Sequence, residues 1–141
     1  MFFRSSNPFI FLNLRLVYFL CLDRWVGVDI GFVVDSSDNV SPEMWRNFKN
    51  IIKKTIDRYH VAPRSANVGM VSYGNKSFDV FNFNTLPDEI LNNYEVKRLV
   101  DRATLKGGIP RLDRGLQLAS SSLFTEKKGM RRWVSKVCSL L

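Results

Sequence analysis

The sequence predicts an α/β fold: a three-layer sandwich around a mainly parallel sheet with one antiparallel edge strand, incomplete at its C-terminal end. Three observations carry this expectation. Short apolar runs rich in β-branched residues, at 28–35 (VDIGFVVD), 67–73 (NVGMVSY) and 133–141, read as buried strands. Stripes of apolar residues spaced by three and four lie between them and read as amphipathic helices. A further strand-like run at 77–83 follows the second strand across only Gly74-Asn75 and the residue after, which calls for a hairpin. Strands alternating with helices elsewhere call for parallel pairing, with helices on both faces.

Each element has its own signal. Residues 9–22 read FIFLNLRLVYFLCL, and fourteen residues are too few to cross a bilayer as a helix. Residues 1–27 are therefore an apolar extension, open between a signal or anchor segment and a strand or helix that packs on the fold. The folded module spans 28–141. After the first strand, Ser41 suits a helix N-cap and Pro42 the first helical position. Trp45, Phe48, Ile52, Ile56 and Tyr59 then form one face of a helix running to about Tyr59, and Pro63 breaks the chain. Val96, Leu99, Val100 and Ala103 mark a second helix, with Gly107-Gly108 as its stop. Leu112, Leu116, Ala119 and Leu123 mark a third, followed by a basic loop at 126–132 and the last strand.

A chain of 141 residues predicts one domain that buries about 70% of its unfolded surface. Apolar residues make up 45% and charged residues 24%, which excludes bulk disorder. The net charge of +8 is scattered over short clusters, Lys53-Lys54, Lys127-Lys128 and Arg131-Arg132, and no nucleic-acid fingerprint accompanies it. Cys21 and Cys138 have no Cys or His neighbour at ligand spacing. A disulfide between them and a buried free thiol at Cys138 both remain open. The single histidine, His60, falls at a helix end, and no nucleophile and base constellation appears.

In open α/β sheets, ligands bind beyond the C-terminal ends of the strands. The loop after the first strand reads Asp35-Ser36-Ser37-Asp38-Asn39. A carboxylate and small oxygen-bearing side chains at alternate positions suit a hard cation such as Mg²⁺. The same residues also suit a plain strand-to-helix turn, in which Asp and Ser bond their own backbone. Gly107-Gly108 lacks the surroundings of a phosphate loop and reads as a turn. Asp113 reads as a first-turn helix residue.

Three blocks carry a resemblance. DIGFVVDSSDNVSPEMWRNFKNII, NVGMVSYGNKSFDVFNF and LVDRATLKGGIPRLDRGLQLASSSLF resemble, in the family's order, successive parts of the von Willebrand factor type A domain. The resemblance implies a Rossmann-like fold, extracellular or secreted location, and adhesion through a metal-ion-dependent site. Residue by residue, Asp35 and Ser37 match the first ligand loop, while Asn39 stands where the family carries a second Ser. Pro110 falls at the family's Thr and has no side-chain oxygen. The family's last acidic ligand follows the final strand, within which this sequence ends at Leu141. Arg111 and Arg114 lie near the mouth and would oppose a cation if they point inward.

The resemblance thus implies a non-enzymatic adhesion module with a degraded metal site at Asp35, Ser37 and Asn39, and weak or absent Mg²⁺. Its expected partner is an extracellular protein such as collagen or another matrix component. A structural matrix component that binds anionic glycans at Lys127, Lys128, Arg131 and Arg132, without metal, is the alternative. A nucleotide-binding reading fails for want of a phosphate loop.

Overall fold

The computed structural model describes residues 10–11 and 27–141. Five strands form one sheet: β1 (Ile10–Phe11), β2 (Val28–Asp35), β3 (Ala66–Tyr73), β4 (Ser77–Phe81) and β5 (Ser135–Leu140), in the order β1-β5-β2-β3-β4. Strand β2 is central and pairs in parallel with β3 and with β5. Strand β4 returns antiparallel to β3 at one edge, and β1 pairs in parallel with β5 at the other. The mainly parallel sheet with one antiparallel edge strand is the expected one.

Burial on both faces explains why β2 and β3 read as unbroken apolar runs. Ile30, Phe32 and Val34 meet helix α1 (Pro42–Ile56) and helix α2 (Asn93–Arg102) on one side of the sheet, through Trp45, Ile52, Ile56, Val96 and Val100. Val33, Val71 and Tyr73 meet Ala119, Leu123 and Phe124 on the other side. The element there is helix α3 (Leu112–Leu118), which continues into a π-helical turn at Ala119–Leu123. Helix α1 starts where its chemistry predicts: the Ser41 hydroxyl accepts from the Met44 N–H at 3.1 Å, and Pro42 opens the helix.

Two expectations need correction. Gly107-Gly108 does not end α2. That helix stops at Arg102, because Ala103 leaves helical geometry with ψ 133° while burying its methyl group. The two glycines lie in the loop beyond, both at positive φ. The last strand begins at Ser135 rather than Trp133, and the Trp133 side chain is exposed. Cys138 faces the second core, where burial pushes its thiol pKa up to about 11. Cys21 and most of the 1–27 extension lie outside the described residues.

Candidate functional site

The site expected beyond the first strand is built from three segments. Strand β2 ends at Asp35, and parallel neighbours on both sides fix that end in space. The Asp35 N–H donates to the Leu141 carbonyl at 2.8 Å, and the Ser36 N–H donates to the Tyr73 carbonyl at 2.7 Å. The chain then turns on its own side chains. The Ser37 N–H donates to Asp35 Oδ1 at 2.8 Å, and the Asn39 N–H donates to Ser37 Oγ at 3.3 Å. This is the self-bonded turn that Asp and Ser favour. It also brings the two expected ligand oxygens into one loop. Ser37 is fully buried, Asp35 half-buried and Asn39 exposed.

The double-glycine loop closes over this turn. The Gly107 N–H donates to the Ser36 carbonyl at 2.6 Å, and the Asp38 N–H donates to the Gly108 carbonyl at 2.9 Å. So close an approach requires glycine. A Cβ on Gly107 would stand 2.8 Å from Asp38 Oδ1, and φ at Gly107 is 78°. Pro110 follows as an exposed residue without a side-chain donor, after Ile109, whose side chain is 71% exposed.

The two arginines near the mouth are held by other partners. Arg114 Nη1 donates to the Asn75 carbonyl at 2.6 Å. Arg111 forks onto Asp113, with Nε and Nη2 at 2.8 and 2.6 Å from its two carboxylate oxygens. That bond holds the Asp113 carboxyl at about 2, below the usual range. Tyr73, at the end of β3, has a hydroxyl pKa raised by burial and by the nearby Asp35 carboxylate.

Sequence reasoning placed Ser36 and Asp38 in the loop without a role as ligands, and passed over Tyr73 as part of the site. Ser36 is fully buried and donates from Oγ to the Tyr73 carbonyl at 3.0 Å, locking the loop to the sheet. Asp38 adds an exposed carboxylate at the rim. Tyr73 supplies the aromatic neighbour. Ser36 and Asp38 carried a signal, their place in the polar loop, and Tyr73 carried none.

The basic residues proposed for glycans fall elsewhere and differ among themselves. Arg131 turns inward. Its Nη2 and Nε lie 2.6 and 2.9 Å from Asp29 Oδ1, and it also donates to the carbonyls of Val28, Pro63 and Ser65. Lys128 pairs with Asp79 at 2.8 Å, and Arg132 pairs with Glu126. Lys127 is exposed. Among the described residues, no three His, Cys, Asp or Glu side chains come together as a metal cluster. No described helix is long and apolar enough to cross a membrane.

With this geometry in place, the comparisons with known proteins agree on its class. The model of the von Willebrand factor type A domain family matches residues 29–141, and the chain belongs to that family. Vitrin of Mus musculus is 23% identical over 104 residues, 74% of this chain and 15% of the relative. Integrin alpha-1 of Gallus gallus is 29% identical over 78% of this chain and 37% of its own length. Proximal thread matrix protein 1 from the mussel byssus has the same fold. It superposes with a TM-score of 0.74 at 18% identity, over 82% of this chain and 30% of that one. A second structure of that protein, with zinc in its metal-ion-dependent adhesion motif, gives a TM-score of 0.70 at 24% identity, over 82% of this chain and 28% of that one. The chain thus spans about a sixth of Vitrin. The Collagen alpha-6(VI) chain of Mus musculus, 26% identical over 84% of this chain and 5% of its own length, is a further relative.

Proposed function

We propose that the chain is a non-enzymatic adhesion module that binds an extracellular matrix protein, such as a collagen, through the loops at the C-terminal ends of β2 and β3. The observation that carries this reading is the Asp35–Asn39 turn. It stands at the end of the central strand and is tied to the double-glycine loop by two backbone hydrogen bonds. The family's adhesion proteins and the zinc-bound byssal protein support it as relatives.

The residues present fit a cation only loosely. Mg²⁺ wants six oxygens in near-octahedral geometry. Asp35 and Ser37 each retain free lone pairs beside the backbone N–H that they accept, and Asn39 offers a neutral amide oxygen. Pro110 offers nothing. Asp35, Ser37 and Asn39 would hold the ion, with water completing its shell, and the ion would supply positive charge to an acidic side chain of the partner. Binding of the chain to immobilised collagens and other matrix proteins tests the reading. Saturable binding, strengthened by millimolar Mg²⁺ and weakened by Asp35→Ala, is expected. Binding indifferent to both would sink it.

A second reading, a glycan-binding matrix component, draws on the net charge of +8 and on the exposed Lys127 and Arg132, with the half-buried Lys128 beside them. It predicts late elution from heparin that falls steeply with salt and with Lys127→Glu plus Lys128→Glu.

A further inference from the structure

The pattern Asn-x-Ser/Thr, with x other than Pro, occurs twice in the sequence, as Asn39-Val40-Ser41 and Asn75-Lys76-Ser77. In a protein that passes through a secretory lumen this pattern is an acceptor for N-linked glycan, and it belongs on surface loops. We propose that Asn75 is N-glycosylated and that its glycan stands on the rim of the adhesion face.

The fold presents Asn75 for this. It lies at the tip of the β3–β4 hairpin, where Asn75 and Lys76 are both exposed and Ser77 is partly so. The tip is anchored from below by the Gly74 N–H on the Lys76 carbonyl at 2.8 Å and by Arg114 on the Asn75 carbonyl at 2.6 Å. A sugar on the side-chain amide therefore has a fixed root, and the backbone contacts that hold the tip do not involve that amide.

The second pattern is a poorer acceptor for a local reason. Pro42 follows Ser41 directly and restricts it to extended backbone, with φ −69° and ψ 159° in the fold. That works against the turn that brings the Ser41 hydroxyl over the Asn39 amide. Ser77 is followed by Phe78 and carries no such restriction.

The chemistry is a group transfer. Asn75 Nδ2 forms a bond to C1 of the first sugar of a lipid-linked oligosaccharyl diphosphate. The C1–O bond to the diphosphate breaks, and the lipid diphosphate leaves with the electron pair. Nδ2 gives up one proton to a base of the transferase. No electron donor or acceptor is involved.

The consequence is steric. A Cβ placed on Gly108 would stand 2.8 Å from Asn75 Cγ, so the Asn75 side chain runs along the double-glycine loop. Gly108 in turn holds Asp38. A glycan rooted there screens the hairpin side of the Asp35–Asn39 turn and leaves the α1 side open to a partner.

Secretion of the full chain from insect or mammalian cells, with digestion by peptide N-glycosidase, tests the assignment. We expect one band shift on digestion, with Asn75 converted to Asp in the peptide mass spectrum and Asn39 unconverted. Asn75→Gln and Ser77→Ala each abolish the shift, while Ser77→Thr keeps it and Asn39→Gln leaves it unchanged. The readout needs no ligand, so it stands apart from the adhesion reading. Unmodified Asn75 alongside a glycosylated control protein from the same cells, or a shift that survives Asn75→Gln, would overturn the proposal.

Discussion

Asp29 and Asp35 stand near the two ends of β2, six residues apart and therefore on the same side of the pleat. Asp29 is fully buried, and its carboxylate is met by the Arg131 guanidinium at 2.6 and 2.9 Å and by the Arg131 N–H at 2.7 Å. Asp35 is half-buried and is met by one backbone N–H from its own turn. A buried carboxylate without a charged partner would be costly, so Asp29 is fixed as structure. Asp35 keeps contact with water and has oxygen lone pairs free. One strand thus presents the same residue type as a clasp at one end and as a candidate ligand at the other. What separates them is the partner that the fold delivers.

The largest effect is expected at the clasp. Arg131→Ala leaves the Asp29 carboxylate buried and unpaired and removes donors to three backbone carbonyls. A loss of about 3–5 kcal/mol is expected, the range for breaking a buried pair. Urea melts of Arg131→Ala and Asp29→Asn check it, and Arg131→Lys should recover only part, since Lys lacks the fork. A loss no larger than that of an exposed-surface substitution would mean that the pair is not a clasp.

At the other end the backbone carries the structure. Gly107→Ala forces a side chain onto positive φ and toward Asp38 Oδ1, and should cost about 1–2 kcal/mol. Weakened binding to a matrix partner should accompany the lower melting temperature, because the same loop braces the Asp35–Asn39 turn. An unchanged melting temperature would show that the loop does not need glycine.

The two ends differ equally in how far the sequence disclosed them. The strand runs, the hairpin and the α1 cap are local signals: Ser41-Pro42 and the stripe Trp45, Ile52, Ile56 sit within one helix. Asp35 and Ser37 were legible because the strand end and the polar turn adjoin in sequence. Arg131 was not legible. It lies in a basic loop and looks like a solvated or glycan-facing charge, yet its partner Asp29 is 102 residues away. Gly107-Gly108 misled for the same reason. Glycine after an amphipathic stripe signals a helix stop, and only the approach of Asp38 and Asn75 from other segments shows why it is there.

A metal titration sharpens the comparison from the ligand side. Two hydroxyl or carboxylate donors and an amide make a site of millimolar order for Mg²⁺. Pro110→Thr together with Asn39→Ser adds two hydroxyl oxygens, and affinity should rise about tenfold, equivalent to about 1.4 kcal/mol. Calorimetry with Mg²⁺ and Mn²⁺ measures both. Micromolar binding by the unaltered chain would mean that other ligands are used, and no gain from the double change would leave Asp35 and Ser37 as turn formers.

The smallest effect belongs to the pair that looks most like the clasp on paper. Arg111 and Asp113 form a forked ion pair at 2.6 and 2.8 Å, as short as the one at Asp29, but both side chains face solvent. Water and salt screen such a pair, and the side chains lose freedom to form it. Asp113→Asn should therefore lower the melting temperature near pH 7 only slightly, far less than Asp29→Asn does. That small difference should disappear in acid. The Asp113 carboxyl titrates at about 2 in the folded chain against 3.8 in the unfolded one. Between those values the unfolded chain binds the extra proton. The pair's contribution is thus present above pH 3.8 and fades as pH falls toward 2. Acid melts at low salt should show a shallower decline for Asp113→Asn than for the parent over that window, and added salt should remove the difference. A loss at neutral pH comparable to that of the buried pair would show that geometry, rather than burial, separates the two.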